Sequence, residues 1–162
     1  MKKNAVFDKT GKYRYLLYRE WDPALPKLLY VMLNPSIADE TDEDQTSKQC
    51  LYFAKTLGYG SFEVVNLYSL ISTDPKNLKT SIDPIDPIGG TTTDWYILNA
   101  ASKADKIIVA WGCNHFFNKR DKDVTNLLKK SRYQLFCLGK TTDGHPRHPS
   151  RLGHKNCKLI KF

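Results

Sequence analysis

The stretch Leu28–Asp39, which reads LLYVMLNPSIAD, constrains the fold of this chain more than any other. Its first half is apolar without alternation, which is typical of a strand buried on both faces, as in a parallel sheet. Pro35 has no N–H to donate to a neighbouring strand and restricts the residue before it, so the strand should end there. Ligands of open α/β sheets bind at the carboxyl ends of the strands. Asn34 is therefore predicted to lie at the floor of an active site.

The rest of the chain alternates strand-like and helix-like segments. Further strands are predicted at Lys12–Trp21, Phe62–Leu67, Lys106–Gly112, Tyr133–Leu138 and, as a short edge strand, Cys157–Phe162. Helices are predicted at Glu40–Leu57, Thr91–Lys103 and Asp121–Lys130, and a long loop at Ser72–Gly90 that is either functional or partly mobile. This order predicts an α/β fold: a three-layer α/β/α sandwich with a four-stranded, mainly parallel central sheet, in one domain covering residues 1–162.

The charge balance favours a polyanionic partner. Lys and Arg total 25 against 17 for Asp and Glu, a formal net charge of +8. Nucleic acid is the first candidate and an anionic membrane surface the second, with a plain basic protein as the alternative. The sequence shows neither a secretory signal nor an apolar run near the ~20 residues of a membrane span. With four widely spaced cysteines, it predicts a cytoplasmic monomer with free thiols and no membrane association.

The loop Leu138–Leu152, which reads LGKTTDGHPRHPSRL, is a second focus of functional groups. It holds two histidines, two arginines and three hydroxyl side chains directly after a predicted strand. Arginine, serine and main-chain N–H groups bind phosphate oxygens, and histidine titrates near neutral pH. The loop is therefore predicted to bind a ligand, with a solvated surface loop as the alternative.

Four motifs in this order, L-N-P-S, V-V-N-L-Y, I-V-A-W-G and H-P-S-R-L, resemble the four landmarks of the uracil-DNA glycosylase superfamily. Over nearly its full length the chain is also similar to the domain-of-unknown-function 1643 family, a group of uncharacterised bacterial and phage proteins. That family is marked by L-N-P-S-x-A-D, V-V-N-L, A-W-G and a C-terminal H-P. The glycosylase resemblance implies a glycosylase-like sandwich that hydrolyses the N-glycosidic bond of a flipped uracil-like or 5-modified pyrimidine in DNA.

The same resemblance implies roles for individual residues. Asn34 would place the attacking water, Asn66 would bond the flipped base, and His148, preferred over His145, would stabilise charge on the departing base. Asn34 stands where the most active branch has an aspartate, so Asp39 and Asp44 are candidates for the missing general base.

Other residues would complete the site. Ser36 stands where that branch has a tyrosine, which implies a roomier substrate pocket. Tyr68 and Trp111, near strand ends, could stack on a base or pack in the core. Contacts to the nucleic-acid backbone are expected from Lys140, Arg147, Ser150 and Arg151, and His145 is a further candidate for the substrate pocket.

No metal and no other cofactor is predicted. The four cysteines include no C-x-x-C pair, and the set His145, His148, His154 and Cys157 matches no familiar zinc signature. The acidic residues from 39 to 44 could bind a divalent cation or simply fill the first turn of a helix. Two alternative functions stay open: a non-catalytic nucleic-acid-binding module, and an enzyme acting on free nucleotides or nucleosides.

Overall fold

The computed structural model describes residues 1–38, 41–88, 90–113, 119–156 and 158–162. In these residues a seven-stranded sheet has the order β1-β2-β4-β3-β5-β6-β7. The strands are β1 (Lys2–Phe7), β2 (Arg14–Glu20), β3 (Lys27–Met32), β4 (Ser61–Asn66), β5 (Lys106–Val109), β6 (Leu135–Cys137) and β7 (Ile160–Lys161). The helices are α1 (Gln45–Thr56), α2 (Asn77–Thr80), α3 (Thr91–Ala101) and α4 (Arg120–Lys130), with short 3₁₀ turns at Pro149–Arg151 and His154–Asn156.

The predicted four-stranded, mainly parallel sheet is wrong. β4, β3, β5 and β6 are parallel neighbours, but β1, β2 and β7 pair antiparallel, so three of the six pairings between described strands are antiparallel. The sheet is larger than predicted because β1, with the polar start Lys-Lys-Asn, lacks a strand signature yet pairs with β2 along its whole length. The fold is a mixed, seven-stranded α/β sheet, and the glycosylase-like sandwich is not what the chain adopts.

The run without alternation in β3 is buried on both faces, as predicted. Leu29 and Val31 join an apolar cluster that includes residues of α3 and α4, such as Ile97 and Leu128. Leu28 and its alternate neighbours face the opposite side of the sheet, where they pack with residues of α1. Helices therefore cover both faces of the sheet at β3, and only the carboxyl end of this strand is left for contact with a ligand.

One buried carboxylate anchors the end of the segment that precedes α3. Asp86 is 1% exposed, and its oxygens accept main-chain N–H bonds from Ile88 at 2.9 Å, Gly90 at 2.9 Å and Thr93 at 2.8 Å. Burial acts to raise the pKa of Asp86, but these three bonds outweigh it and hold the pKa below the ordinary carboxyl value. Asp86 thus ties this segment to the first turn of α3.

Within the described residues, no helix is long and apolar enough to cross a membrane. The extent of the domain, residues 1–162, stays a prediction.

Candidate functional site

A pocket of about 560 Å³ lies where β4, β3 and β5 end. This volume falls within the range of small-molecule sites, about 300–1,000 Å³. On the α1 side of the sheet its wall is apolar, formed by Leu17, Met32, Cys50 and Val64. The polar lining comes from the segments that follow the parallel strands, because the carboxyl ends of parallel strands meet at one edge of the sheet.

Most of the predicted site residues line this one pocket: Asn34, Ser36, Asp44, Asn66, Trp111, Arg147, His148, Ser150 and Arg151. The structure thus brings together residues from four separate segments of the chain. The roles predicted for them remain predictions.

Asn34 is fixed by two hydrogen bonds. Its amide nitrogen donates to the carbonyl oxygens of Pro35 at 3.0 Å and Ser72 at 2.8 Å. Both partners are acceptors, so the NH₂ group must face them, and both of its hydrogens are used. The amide oxygen Oδ1 is the group left to interact with a ligand. Asn34 can therefore accept a hydrogen bond from water or substrate but has no proton to give.

Two buried donors in the pocket have no hydrogen-bond partner among the described residues. They are Nδ2 of Asn66, a residue 2% exposed at the end of β4, and the indole Nε1 of Trp111, 3% exposed just beyond β5. A buried donor without a partner costs about 1–3 kcal/mol, and most native proteins avoid it. Both residues line the pocket, but the Trp111 side chain packs in the apolar cluster on the α3 and α4 side of the sheet, edge-on to the ring of Phe162 with centroids 5.7 Å apart. Asn66 shares one face of β4 with Phe62 and Val64, which pack on the α1 side, so a pocket ligand with an acceptor atom would satisfy its Nδ2.

His148 is held as a neutral imidazole. Its Nδ1 lies 3.3 Å from the main-chain nitrogen and 2.8 Å from Oγ of Ser150. Because a main-chain N–H can only donate, Nδ1 must accept, which leaves the ring proton on Nε2. Burial lowers the pKa of His148 to about 4, against a raising effect of Asp44 and with a further lowering by Arg151. At neutral pH, His148 is an uncharged donor through Nε2.

Asp44, a candidate general base from the sequence, has a structural role as the N-cap of α1. It caps α1, with Oδ1 accepting from the main-chain nitrogen of Ser47 at 2.7 Å, and its Oδ2 accepts from the hydroxyl of Ser36. This cap makes α1 begin at Gln45, later than predicted. Burial acts to raise the pKa of Asp44, but the bonds from Ser36 and Ser47 prevail and the pKa is lowered. Asp44 is an ionised carboxylate with both oxygens engaged.

Three predicted site residues lie away from the pocket lining. Tyr68 is 2% exposed within the apolar cluster on the α3 and α4 side of the sheet. His145 and Lys140 belong to the loop after β6 but are not among the residues that line the pocket. Lys140 forms a β-bridge with Pro146, and its ammonium group lies over the ring of Phe162. Asp39 lies outside the described residues.

The structure adds a pocket residue that the sequence reasoning missed. Arg14 is 4% exposed, lines the pocket, and donates from Nη1 to the carbonyl oxygen of Ala38. Its place in an alternating segment suggested a solvated side chain. β2 instead lies between β1 and β4, so it is an inner strand of the sheet, and Arg14 at its start is buried. Thr141, which lies in the predicted ligand-binding loop but was not singled out there, and Cys113 also line the pocket.

The described residues contain no group of three or more His, Cys, Asp or Glu side chains that could hold a metal ion. His154 belongs to the set of residues that matched no familiar zinc signature. Its Nε2 forms a hydrogen bond with Oε1 of Gln49 at 2.8 Å, and its ring stacks on Tyr52. Cys157 lies outside the described part of the chain. Of the acidic residues before α1, Glu43 pairs with the buried Arg19 at 2.5 Å and with Lys3 at 3.4 Å.

Comparison with known proteins gives a family and no activity. Neither the curated proteins nor the solved structures include a match to the chain. One family model covers residues 14–150, a span that holds the first three strand-end motifs and the loop with His148 as far as Ser150. On this match the chain belongs to the family described as protein of unknown function (DUF1643).

Proposed function

We propose that this protein is a DNA glycosylase-like hydrolase that binds a uracil-like or 5-modified pyrimidine base flipped out of DNA and breaks its N-glycosidic bond. The observation that carries the proposal is the buried donor Nδ2 of Asn66, which has no partner in the described chain and belongs to a residue that lines the pocket. A pyrimidine such as uracil offers two carbonyl oxygens, which are acceptors. The pocket supplies the complementary groups.

The remaining polar groups fit the steps of base excision. The bond between C1′ and the base nitrogen breaks, its electron pair leaves with the base, and the sugar becomes oxocarbenium-like. Nε2 of His148 can donate to a base oxygen as negative charge develops there. Oδ1 of Asn34 can accept from the water whose oxygen bonds to C1′, and the proton of that water passes to solvent.

Charge at the pocket supports a nucleic-acid substrate. Among the described lining residues, Arg14, Arg147 and Arg151 are cationic and Asp44 is anionic. Arg147 and Arg151 are exposed, where they can reach phosphates on either side of a flipped nucleotide. The net charge of +8 adds attraction at longer range.

A second candidate function is supported by a specific observation. No carboxylate in the described pocket lining is free to act as a strong general base, because both oxygens of Asp44 are engaged. A protein with this pocket could bind a flipped base or nucleotide without turnover.

The proposal is tested by base release from duplexes that each carry one uracil, thymine or 5-hydroxymethyluracil. Abasic product is measured after alkaline strand cleavage. Wild-type protein is expected to release at least one of these bases, and Asn34→Ala to do so about 10²-fold more slowly because the water loses its acceptor. Asn99→Ala, on α3 and outside the pocket lining, serves as the control. If wild-type protein yields no abasic product on any duplex, the enzymatic proposal fails and the binding function takes its place.

A further inference from the structure

We infer that the outer face of α1 is a second contact site for nucleic acid, along which the phosphate backbone runs away from the pocket. The inference rests on the proposed function only for the identity of the polyanion. It concerns a surface that contributes nothing to base excision itself.

The surface is built on three side chains of α1. Lys48, Tyr52 and Lys55 are all exposed and stand at i, i+4 and i+7, so they share one side of the helix. The opposite side, with Cys50 and Phe53, is buried against the sheet. Between Gln45 and Thr56 the helix carries no acidic residue. We call Lys48, Tyr52 and Lys55 the α1 stripe.

Described contacts connect the α1 stripe to the pocket. Nε2 of Gln49 donates to the carbonyl oxygen of Leu152 at 3.3 Å. The ring of His154 bonds to Gln49 at 2.8 Å and stacks on Tyr52, with centroids 3.8 Å apart and planes 19° from parallel. The preceding 3₁₀ turn carries Arg151, which lines the pocket. The chain from the pocket rim to the α1 stripe is therefore one packed surface.

Charge and spacing favour nucleic acid as the occupant. The exposed cations of this surface are Lys48, Lys55, Arg151 and Lys155. The two lysines of the stripe are seven positions apart along the helix, about 10 Å at 1.5 Å per residue. That length matches about three phosphates of one DNA strand at 3.4 Å each. A membrane-binding helix would instead present large apolar side chains such as Leu, Phe or Trp beside its lysines, whereas the one aromatic of the α1 stripe, Tyr52, has its ring stacked on His154.

The test measures binding of the protein to a DNA duplex without modified bases, with fluorescence anisotropy as the readout, over a series of NaCl concentrations. Each phosphate contact contributes about 0.9 to the slope of log Kobs against log salt. The double variant Lys48→Gln/Lys55→Gln is expected to reduce the magnitude of this slope by about 1.8. The control Lys122→Gln/Lys130→Gln removes the same charge from exposed positions on α4, on the other face of the sheet, and should leave the slope unchanged.

Equal slopes for wild type and the stripe variant would overturn the inference, as would an equal loss in the α4 control. Stripe-dependent binding to phosphatidylserine vesicles that exceeds binding to the duplex would also overturn it. The same experiments distinguish a failure of this inference from a failure of the proposed function. Stripe-dependent duplex binding without base release leaves the α1 stripe standing, whereas base release with an unchanged salt slope refutes only the stripe.

Discussion

His148→Ala is expected to lower the rate of base release by about 10²–10³-fold, the loss typical when one donor to a developing anion is removed. The reason is the geometry around Ser150, which keeps the ring proton on Nε2 and leaves it for the substrate. Single-turnover kinetics on the best duplex substrate would measure the chemical step directly. Because the neutral imidazole is the working form and its pKa is about 4, the contribution of His148 should persist as the pH falls from 8 towards 5.

His145 provides a matched control in the same loop. It lies outside the pocket lining, so His145→Ala should leave the rate of base release nearly unchanged. A large loss in His145→Ala with a small loss in His148→Ala would reverse the assignment of the two histidines. A loss in His148→Ala that appears only below pH 6.5 would contradict the neutral donor.

Asp86→Ala is expected to lower the free energy of unfolding by about 3 kcal/mol or more, because it leaves the buried N–H groups of Gly90 and Thr93 and the part-buried N–H of Ile88 without an acceptor. The effect should depend on pH with a definite sign. The pKa of Asp86 is lowered in the folded protein, so its stabilisation is present above the ordinary carboxyl value of 3.8 and is lost as the pH falls below it. Urea unfolding at pH 7 and at pH 3 measures both quantities.

Asp83→Ala is the control for this effect, since Asp83 lies in the same segment and is exposed. It should change the free energy of unfolding by less than about 0.5 kcal/mol, as is usual for surface substitutions. The assigned role of Asp86 would be wrong if both variants unfolded at the same urea concentration as wild type. It would also be wrong if Asp86→Ala lost stability equally at pH 7 and pH 3.

The position of the pocket was predictable because it depends on where buried strands stop. Pro35 ends the segment after β3, and the register places Met32 opposite Asn66 in the parallel neighbour, so the two strand ends meet. The loop after β6 then brings His148 to the same edge, with its Cβ 3.5 Å from where a side chain on Gly112 would begin. Local pattern and topology agree at these positions.

The extent of the sheet was less predictable. β1 begins with Lys2, Lys3 and Asn4, residues that are rare in buried strands, and its stability comes from pairing with β2 rather than from its own composition. Arg14 illustrates the same limit within the site, because an arginine in an alternating strand reads as solvated unless the neighbouring strands are known. Tyr68 was predicted to line the pocket because it follows Asn66 by two residues. The strand has already ended there, and the Tyr68 side chain packs in the core on the other side of the sheet.

The claim that the pocket holds a nucleobase is tested most directly by NMR of side-chain N–H groups. The chain has three tryptophans, Trp21, Trp95 and Trp111, so three indole signals can be assigned with single Trp→Phe variants. On addition of uracil or deoxyuridine monophosphate, the side-chain amide signals of Asn34 and Asn66 should shift together, while the indole signals of Trp21 and Trp95, outside the pocket lining, stay in place. Saturation with these ligands and with a uracil-containing oligonucleotide that leaves the amide signals of Asn34 and Asn66 unmoved would contradict the account.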